Sequence, residues 1–262
     1  VTAAEPAASA PRGERVAVVI PAHDEAATIG PIVAAARAYG TVIVCDDGSR
    51  DATAAAARAA GARVLRHPFC LGKGAALATA MSWALGEGAD FVITLDADGQ
   101  HRPEDIPRFL AAARKHPHHI VIGWRCHGRE AQPRARRLAN RFADFWISWA
   151  AAHPVADSQC GFRCYPRHVL EHLAPLWRWP RGFAFETALL IAAARAGFRT
   201  VALDIAAIYG GSGQRASHFR PVRDVARIVL VVALFLLSRG LAPRALWRSL
   251  TLPMECFECD PS

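Results

Sequence analysis

Thr41-Val42-Ile43-Val44-Cys45-Asp46-Asp47-Gly48-Ser49-Arg50-Asp51 reads as a short buried strand that stops abruptly on a cluster of carboxylates. A second stretch repeats the arrangement. The apolar run from Phe91 to Leu95 gives way to Asp96-Ala97-Asp98-Gly99-Gln100. Carboxylates crowded at the carboxyl ends of two strands repel one another unless a positive charge sits among them, and a divalent metal carrying a nucleotide diphosphate would supply it. Either cluster alone could be a solvated Asp-Gly turn, but two on the functional edge of one sheet point to a site for such a metal-bound diphosphate.

Working outward from these two stretches, short apolar runs alternate with Ala-rich helical ones, the pattern of a largely parallel sheet covered by helices, so the fold class is α/β. Strands are expected over 16–20, 41–45, 62–66, 91–95 and 120–123, with helices over 26–39, 51–60, 73–86 and 103–115. In open sheets of this kind ligands bind beyond the carboxyl ends of the strands, which gathers the loops starting at Pro21, Asp46, Pro68, Asp96 and Trp124 around one cleft. Further on, Arg134-Ala135-Arg136-Arg137 opens a helix through Trp149, followed by Asp157-Ser158-Gln159-Cys160-Gly161-Phe162-Arg163. A helix over 184–196 and a strand over 199–205 come next.

With 262 residues, 52% of them hydrophobic, the chain is long enough for one large domain. The division expected is a disordered arm over 1–14, a catalytic domain over 15–225, and apolar and basic helices with a tail over 226–262. The net charge of +8 suits an anionic membrane surface, a phosphorylated substrate or nucleic acid. A nucleic-acid module is disfavoured, because the aromatic residues fall in helical stretches and the acidic loops would repel a phosphate backbone. Seven cysteines without paired spacing suggest a reducing compartment. Cys256 and Cys259 have the spacing of half a zinc site, with no second half nearby. The apolar run from Ile228 to Leu237 is too short to span a bilayer, which needs about 20 residues. It reads as a core helix or as an interfacial or partner-binding one. Trp247 and the leucines over 241–250, interleaved with Arg244 and Arg248, favour contact with a membrane surface.

Pro21-Ala22-His23-Asp24-Glu25, the Asp46–Asp51 cluster, Gly72-Lys73-Gly74, Asp96-Ala97-Asp98-Gly99-Gln100-His101, Gly123-Trp124-Arg125 and Gly161-Phe162-Arg163 stand in an order that resembles family-2 glycosyltransferases. The likeness covers residues 15 to 225 and is greatest to the dolichyl-phosphate mannosyltransferase and polyprenyl-phosphate glycosyltransferase branch. The resemblance implies a GT-A fold, an activated nucleotide sugar, a divalent metal (Mg²⁺ or Mn²⁺) and an inverting reaction. It places Pro21, Ala22, Glu25, Asp47, Lys73, Asp96 and Ala97 at the nucleotide sugar. It places Asp96, Asp98 and Gln100 at the metal, with Asp98 and Gln100 in direct contact, and Asp98 and Arg163 among the catalytic groups. Asp24 stands where the family usually has Asn, and read alone it is also a candidate helix N-cap.

Arginines from loops and helix starts suit a phosphate acceptor. Arg125, Arg137, Arg215 and Arg220, with Ser217, are the candidates for holding it. A lipid phosphate is ionised near neutral pH and requires no general base, whereas a sugar or lipid hydroxyl would; Asp157, then Glu186, is the candidate for that role. The Gly-rich stretch over 209–220 suits a loop closing over bound donor. The expected activity is transfer of a hexose from a GDP-mannose or UDP-glucose type donor to dolichyl or undecaprenyl phosphate, by a protein lying on the cytoplasmic face of a membrane, alone or with a membrane-protein partner. A hydroxyl acceptor is the alternative.

Overall fold

A computed structural model of the chain describes residues 13–125, 134–175, 184–206, 221–238 and 240–257. Within them, strands β1 (Val16–Ala22), β2 (Thr41–Asp46), β3 (Arg63–Arg66), β4 (Phe91–Thr94), β5 (His119–Trp124), β6 (Arg163–Pro166), β7 (Arg199–Asp204) and β8 (Cys256–Phe257) form one sheet in the order β3-β2-β1-β4-β6-β5-β7-β8. All neighbours pair in parallel except β6, which runs antiparallel between β4 and β5. The helices among the described residues are α1 (Ile29–Ala36), α2 (Thr53–Ala59), α3 (Lys73–Gly86), α4 (Ile106–Lys115), α5 (Arg134–Ala151), α6 (Arg167–Leu173), α7 (Ala184–Arg195), α8 (Pro221–Leu237) and α9 (Pro243–Thr251). This is the mostly parallel α/β arrangement expected from the sequence.

The order of the strands positions the site. From β1 the chain moves outward through β2 to β3, then α3 carries it back so that β4 pairs on the other side of β1. The connections therefore diverge at the carboxyl ends of β1 and β4, and the crevice opened there is where a ligand fits such a sheet. The loops after Ala22 and after Thr94 both empty into it. The central strands are buried on both faces, with Val18, Val19, Ile20, Ile43, Val44, Val92, Ile93, Ile120 and Val121 inaccessible to solvent.

Three elements depart from the sequence reading. Helix α1 begins at Ile29, not Ala26, because the Glu25 and Ala26 N–H groups donate to Thr53 Oγ1 (2.7 Å) and Asp51 Oδ2 (3.2 Å) and tie that segment to the loop after β2. Strand β6 was not expected. A polar Arg163 at its head hides the strand pattern, and the residue is accommodated only because its guanidinium is fully hydrogen-bonded. Strand β8, far out in the C-terminal segment, adds to the sheet edge through Ala202↔Cys256 and Leu203↔Phe257. Two residues are too few to carry a strand signal.

Helix α8 divides its apolar residues between two environments. Ile228, Val231, Val232 and Leu236 face the core at helical spacing, while Val229, Leu230, Leu234 and Leu237 are exposed. No helix among the described residues is long and apolar enough to cross a membrane.

The core and the cleft meet at one aromatic stack. Phe109 of α4 and Phe162, both fully buried, lie with ring centroids 4.0 Å apart and planes 21° from parallel. Phe162 immediately precedes β6 in the loop that borders the crevice. Replacing Phe109 by Ala should cost about 3–5 kcal/mol of stability, read as a lowered urea midpoint with unchanged slope.

Candidate active site

The carboxylates after β2 are turned inward. Asp46 Oδ1 accepts from the Ser49 N–H (3.0 Å), and its Oδ2 pairs with Arg66 Nε at 3.0 Å. Asp47 accepts from His67 Nδ1 (2.7 Å), from the Leu71 and Gly72 N–H groups (2.9 and 2.7 Å) and from Cys70 Sγ (3.3 Å). Burial alone would raise the Asp47 pKa, but those four donors outweigh it and hold the carboxyl below its ordinary value. Both of its oxygens thereby anchor the 67–72 loop. The same close approach requires Gly48, with φ +71°: a Cβ there would stand 2.5 Å from the Phe69 carbonyl carbon.

Pro21 and Ala22 end β1 in buried positions, and the Ala22 carbonyl accepts from the Asp47 N–H at 2.8 Å. Glu25 is half-buried, with Oε2 accepting from Thr28 Oγ1 (3.1 Å). Asp24 is not a helix cap. It takes a φ of 56° and accepts from the Arg50 N–H at 2.8 Å, while Thr28 precedes α1. These residues lie on the same sheet edge as the second acidic cluster but apart from the main cavity.

Around Asp96 a chain of alternating charges crosses the cleft floor. Lys73, the first residue of α3, places Nζ 2.8 Å from Asp96 Oδ1 and 2.8 Å from Glu186 Oε2 on α7. Burial would lower the Lys73 pKa, yet the two carboxylates more than reverse it, so the ammonium is held above its usual range. Asp96 responds reciprocally: desolvation is outweighed by Lys73, and its carboxyl is held low. Gly161 makes room for this carboxylate, since a Cβ on it would lie 2.3 Å from Asp96 Oδ2. Ala97, between the two acids, is buried.

Asp98 differs from Asp96. Its Oδ1 accepts the Gln100 N–H at 3.0 Å, and burial together with the Asp96 charge raises its pKa. A carboxyl held against a like charge, with no ion pair among the described residues, is one that a divalent cation would relieve. Asp98, with Gln100 beside it in the turn, therefore fits an Mg²⁺ or Mn²⁺ ion; Asp96, neutralised by Lys73, is better placed to support than to lead. His101, which sequence reasoning noted only in passing, is 5% exposed with an enclosed, unpartnered Nδ1, and burial lowers its pKa, so the neutral imidazole faces the acids.

Two arginines take different parts. Arg125 forms a bidentate pair with Asp157, Nε to Oδ2 and Nη2 to Oδ1 both at 2.7 Å, and its N–H adds a third bond at 3.2 Å. Both side chains are nearly inaccessible, at 5% and 3% exposure. Asp157 as a general base would have to break this pair, which the geometry opposes. Arg163, expected among the catalytic groups, is placed behind the cavity wall and not on it. It is completely buried and donates to the carbonyls of Cys160 (2.8 Å), Ser158 (2.8 Å) and Glu186 (3.4 Å) and to Tyr165 Oη (3.3 Å), so it touches no space a substrate could occupy.

Lys73, Asp96, Asp98, Gln100, His101, Arg125 and Glu186 line a cavity of about 1460 Å³. Leu138, Phe142 and Trp146 of α5 and Val229, Val232 and Leu236 of α8 line the same cavity. Arg137 is half-buried on α5 but is not part of the lining; Arg141, one helical turn on, is. Helical spacing from the cavity-lining Leu138 and Phe142 could have singled out Arg141. Arg215, Ser217 and Arg220, and the Gly-rich stretch over 209–220, lie outside the described residues.

The model of a family described as glycosyl transferase family 2 matches residues 17–173. An uncharacterized protein of Methanocaldococcus jannaschii, MJ1222, is 32% identical over 157 residues, 58% of this chain and 65% of its own length. The polyprenol monophosphomannose synthase of Mycolicibacterium smegmatis is 28% identical, over 73% of this chain and 77% of its own. The undecaprenyl-phosphate mannosyltransferase of Micrococcus luteus is 30% identical, over 73% and 82%. Among solved structures, glucosyl-3-phosphoglycerate synthase from Mycobacterium tuberculosis, in complex with Mn²⁺, UDP and glucosyl-3-phosphoglycerate, superposes with a TM-score of 0.60 at 25% identity, covering 87% of this chain and 80% of that one.

Three outcomes test the site. Gly161→Ala should displace the Asp96 carboxylate and lower turnover at least about tenfold, a loss of about 1.4 kcal/mol in transition-state stabilisation, while thermal unfolding moves little. Lys73→Met leaves Asp96 and Glu186 without their cation and should destabilise the fold by about 3–5 kcal/mol at neutral pH, measured by urea unfolding. Asp47 and Asp96 both have lowered folded-state pKa values, so their contribution is present above the unfolded carboxylate value of about 3.9 and is lost as pH falls through the folded values. The urea midpoint should accordingly fall steeply below about pH 4, and less steeply in Asp47→Asn.

Proposed function

Because the chain belongs to glycosyl transferase family 2 and is a glycosyltransferase, we propose that it moves a hexose from a nucleotide diphosphate sugar to a polyprenyl phosphate, with inversion, at a membrane surface. The observation that carries this reading is the mixed lining of the cavity. Its charged groups suit a diphosphate and an acceptor phosphate, and its apolar side chains from α5 and α8 suit an isoprenoid chain. The relatives named for polyprenol and undecaprenyl phosphate support the acceptor class.

The proposed chemistry follows from which groups are already paired. An oxygen of the ionised lipid phosphate attacks the anomeric carbon, the bond from that carbon to the diphosphate oxygen breaks, and the electron pair leaves with the nucleoside diphosphate. No proton has to be removed from the nucleophile. That suits a cleft whose two candidate bases are engaged, Asp157 with Arg125 and Glu186 with Lys73. Asp98 and Gln100 would hold an Mg²⁺ or Mn²⁺ ion, which would supply Lewis-acid stabilisation of the charge that develops on the diphosphate. Arg125 and Arg141, both on the cavity wall, orient the acceptor phosphate, and Lys73 keeps Asp96 ionised and in place.

Membrane contact has its own support. Exposed Leu230, Leu234, Leu237, Leu241, Trp247 and Leu250 lie on α8, α9 and the turn between them, with Arg244 and Arg248 exposed beside them. Trp149 Nε1 donates to the Leu241 carbonyl at 3.0 Å and holds that turn against α5. Apolar and aromatic side chains flanked by cations are what an anionic interface accepts.

A second reading, transfer to a hydroxyl of a soluble phosphorylated acid, is favoured by the likeness to glucosyl-3-phosphoglycerate synthase. Incubation with Mn²⁺ or Mg²⁺ and a panel of GDP and UDP sugars, with polyprenyl phosphate, 3-phosphoglycerate or no acceptor, separates the two. Nucleoside diphosphate release that depends on the lipid, with a product labile in mild acid, is expected. Release driven by phosphoglycerate with an acid-stable glycoside would overturn the lipid assignment. Asp98→Asn should lower the rate by about 10²–10³, the range for removing one electrostatic stabiliser.

A further inference from the structure

At the sheet edge opposite the cleft, three side chains that the transfer reaction does not use converge. His116 follows the last turn of α4, His119 opens β5, and Glu255 immediately precedes β8. One donor atom from each lies within 4.8 Å of the other two, and no other His, Cys, Asp and Glu residues among the described ones form such a group. The five residue steps of β5 from His119 to Trp124 separate it from the cleft by about 17 Å.

The contacts within the group are those of neighbouring ligands more than of a satisfied hydrogen bond. His119 Nε2 stands 2.7 Å from Glu255 Oε2, yet both ring nitrogens of His119 are enclosed without a hydrogen bond of acceptable geometry. Buried polar atoms left in this way need a partner. The other Glu255 oxygen pairs with the Arg199 guanidinium, and the Glu255 carbonyl accepts from the Ala202 N–H at 2.8 Å, so the carboxylate is held in place by groups behind it. Rings pack around the gap: His116 lies 5.3 Å from His119 and 6.3 Å from Phe257, both edge-on.

We propose that His116, His119 and Glu255 bind a divalent transition metal of the zinc class, which fastens β8 to the amino ends of β5 and β7. Two imidazoles and one carboxylate are a common donor set for such ions, with a fourth position left for water. Neighbouring donors of a tetrahedral ion stand about 3.4 Å apart, so loading parts His119 Nε2 from Glu255 Oε2, now 2.7 Å apart, and brings the half-buried His116 ring to the same spacing. Cys256 is not a ligand. Strand alternation puts Glu255 and Phe257 on one face of β8 and Cys256 on the other, and Cys259, its partner in the Cys-x-x-Cys spacing, lies outside the described residues.

Untagged, chelator-stripped full-length protein titrated with Co²⁺ gives the visible ligand-field absorption of a four-coordinate ion at one equivalent, bleached when Zn²⁺ displaces it, and Zn²⁺ raises the melting temperature. The absorption persists in Asp98→Asn and is lost in His119→Gln and Glu255→Gln. Arg199→Gln weakens the affinity by about 10–100-fold, as loss of a group supporting a ligand does. His119→Gln retains its Mg²⁺-dependent transferase rate. If a variant fails to fold, X-ray absorption of the wild-type zinc complex decides, because two imidazoles must appear in its shell. No four-coordinate Co²⁺ signal in the wild type, its loss in Asp98→Asn, its survival in both His119→Gln and Glu255→Gln, or a zinc shell without two imidazoles would overturn the assignment.

Discussion

Everything in the cleft depends on the Lys73 ammonium lying 2.8 Å from both Asp96 and Glu186. The three residues come from the start of α3, the loop after β4 and the first turn of α7, so the pairings fix those three elements relative to one another. Placing two carboxylates this deep without their cation would be costly, and placing the cation there without them would be equally so. The arrangement is stable only complete. It also leaves Asp98, one step further into the cavity, as the acid whose charge is least offset.

Behind this row stands a second layer that holds the loop from 157 to 162 in shape. Arg163 gathers the Ser158, Cys160 and Glu186 carbonyls, and Asp157 is clamped by Arg125. The loop in turn supplies Gly161, whose missing side chain lets the Asp96 carboxylate approach. An antiparallel strand inserted between β4 and β5 makes this possible. By running opposite to its neighbours, β6 brings its amino end, and thus the loop before it, to the edge where the parallel strands finish.

Much of this was legible in the sequence because the first half obeys simple rules. Apolar runs ending on Asp46 and Asp96 mark strand ends, Ala-rich stretches mark α2 and α3, and the Lys73–Gly86 limits of α3 coincide with the reading from sequence. In the second half β7 was legible, but two strands were hidden for identifiable reasons. Arg163 breaks the hydrophobic pattern of β6, and β8 is only two residues long. Within the site, spacing indicated which acids assemble at the edge but not which way they turn. Asp47 and Asp98 each follow a strand, and only packing shows one saturated by donors from the 67–72 loop and the other held against a like charge. Arg163 carries the same ambiguity: a guanidinium suits a phosphate and a set of carbonyls equally well, and only packing shows it donating to carbonyls.

Helix α8 shows how a single element can serve the core and the surface. Ile228, Val231, Val232 and Leu236 close the domain, and the exposed Leu230, Leu234 and Leu237 would be a liability on a protein surrounded only by water. The same helix also turns Val229, Val232 and Leu236 to the cavity. On the proposed reading these faces have one purpose. A lipid acceptor enters from an apolar phase, so the wall that receives its chain and the face that meets the membrane must be continuous, and a helix rich in aliphatic residues on most sides supplies both without spanning a bilayer. On that reading the apolar run left open by the sequence serves both core and interface, and Val232 and Leu236 are shared between the core and the cavity wall.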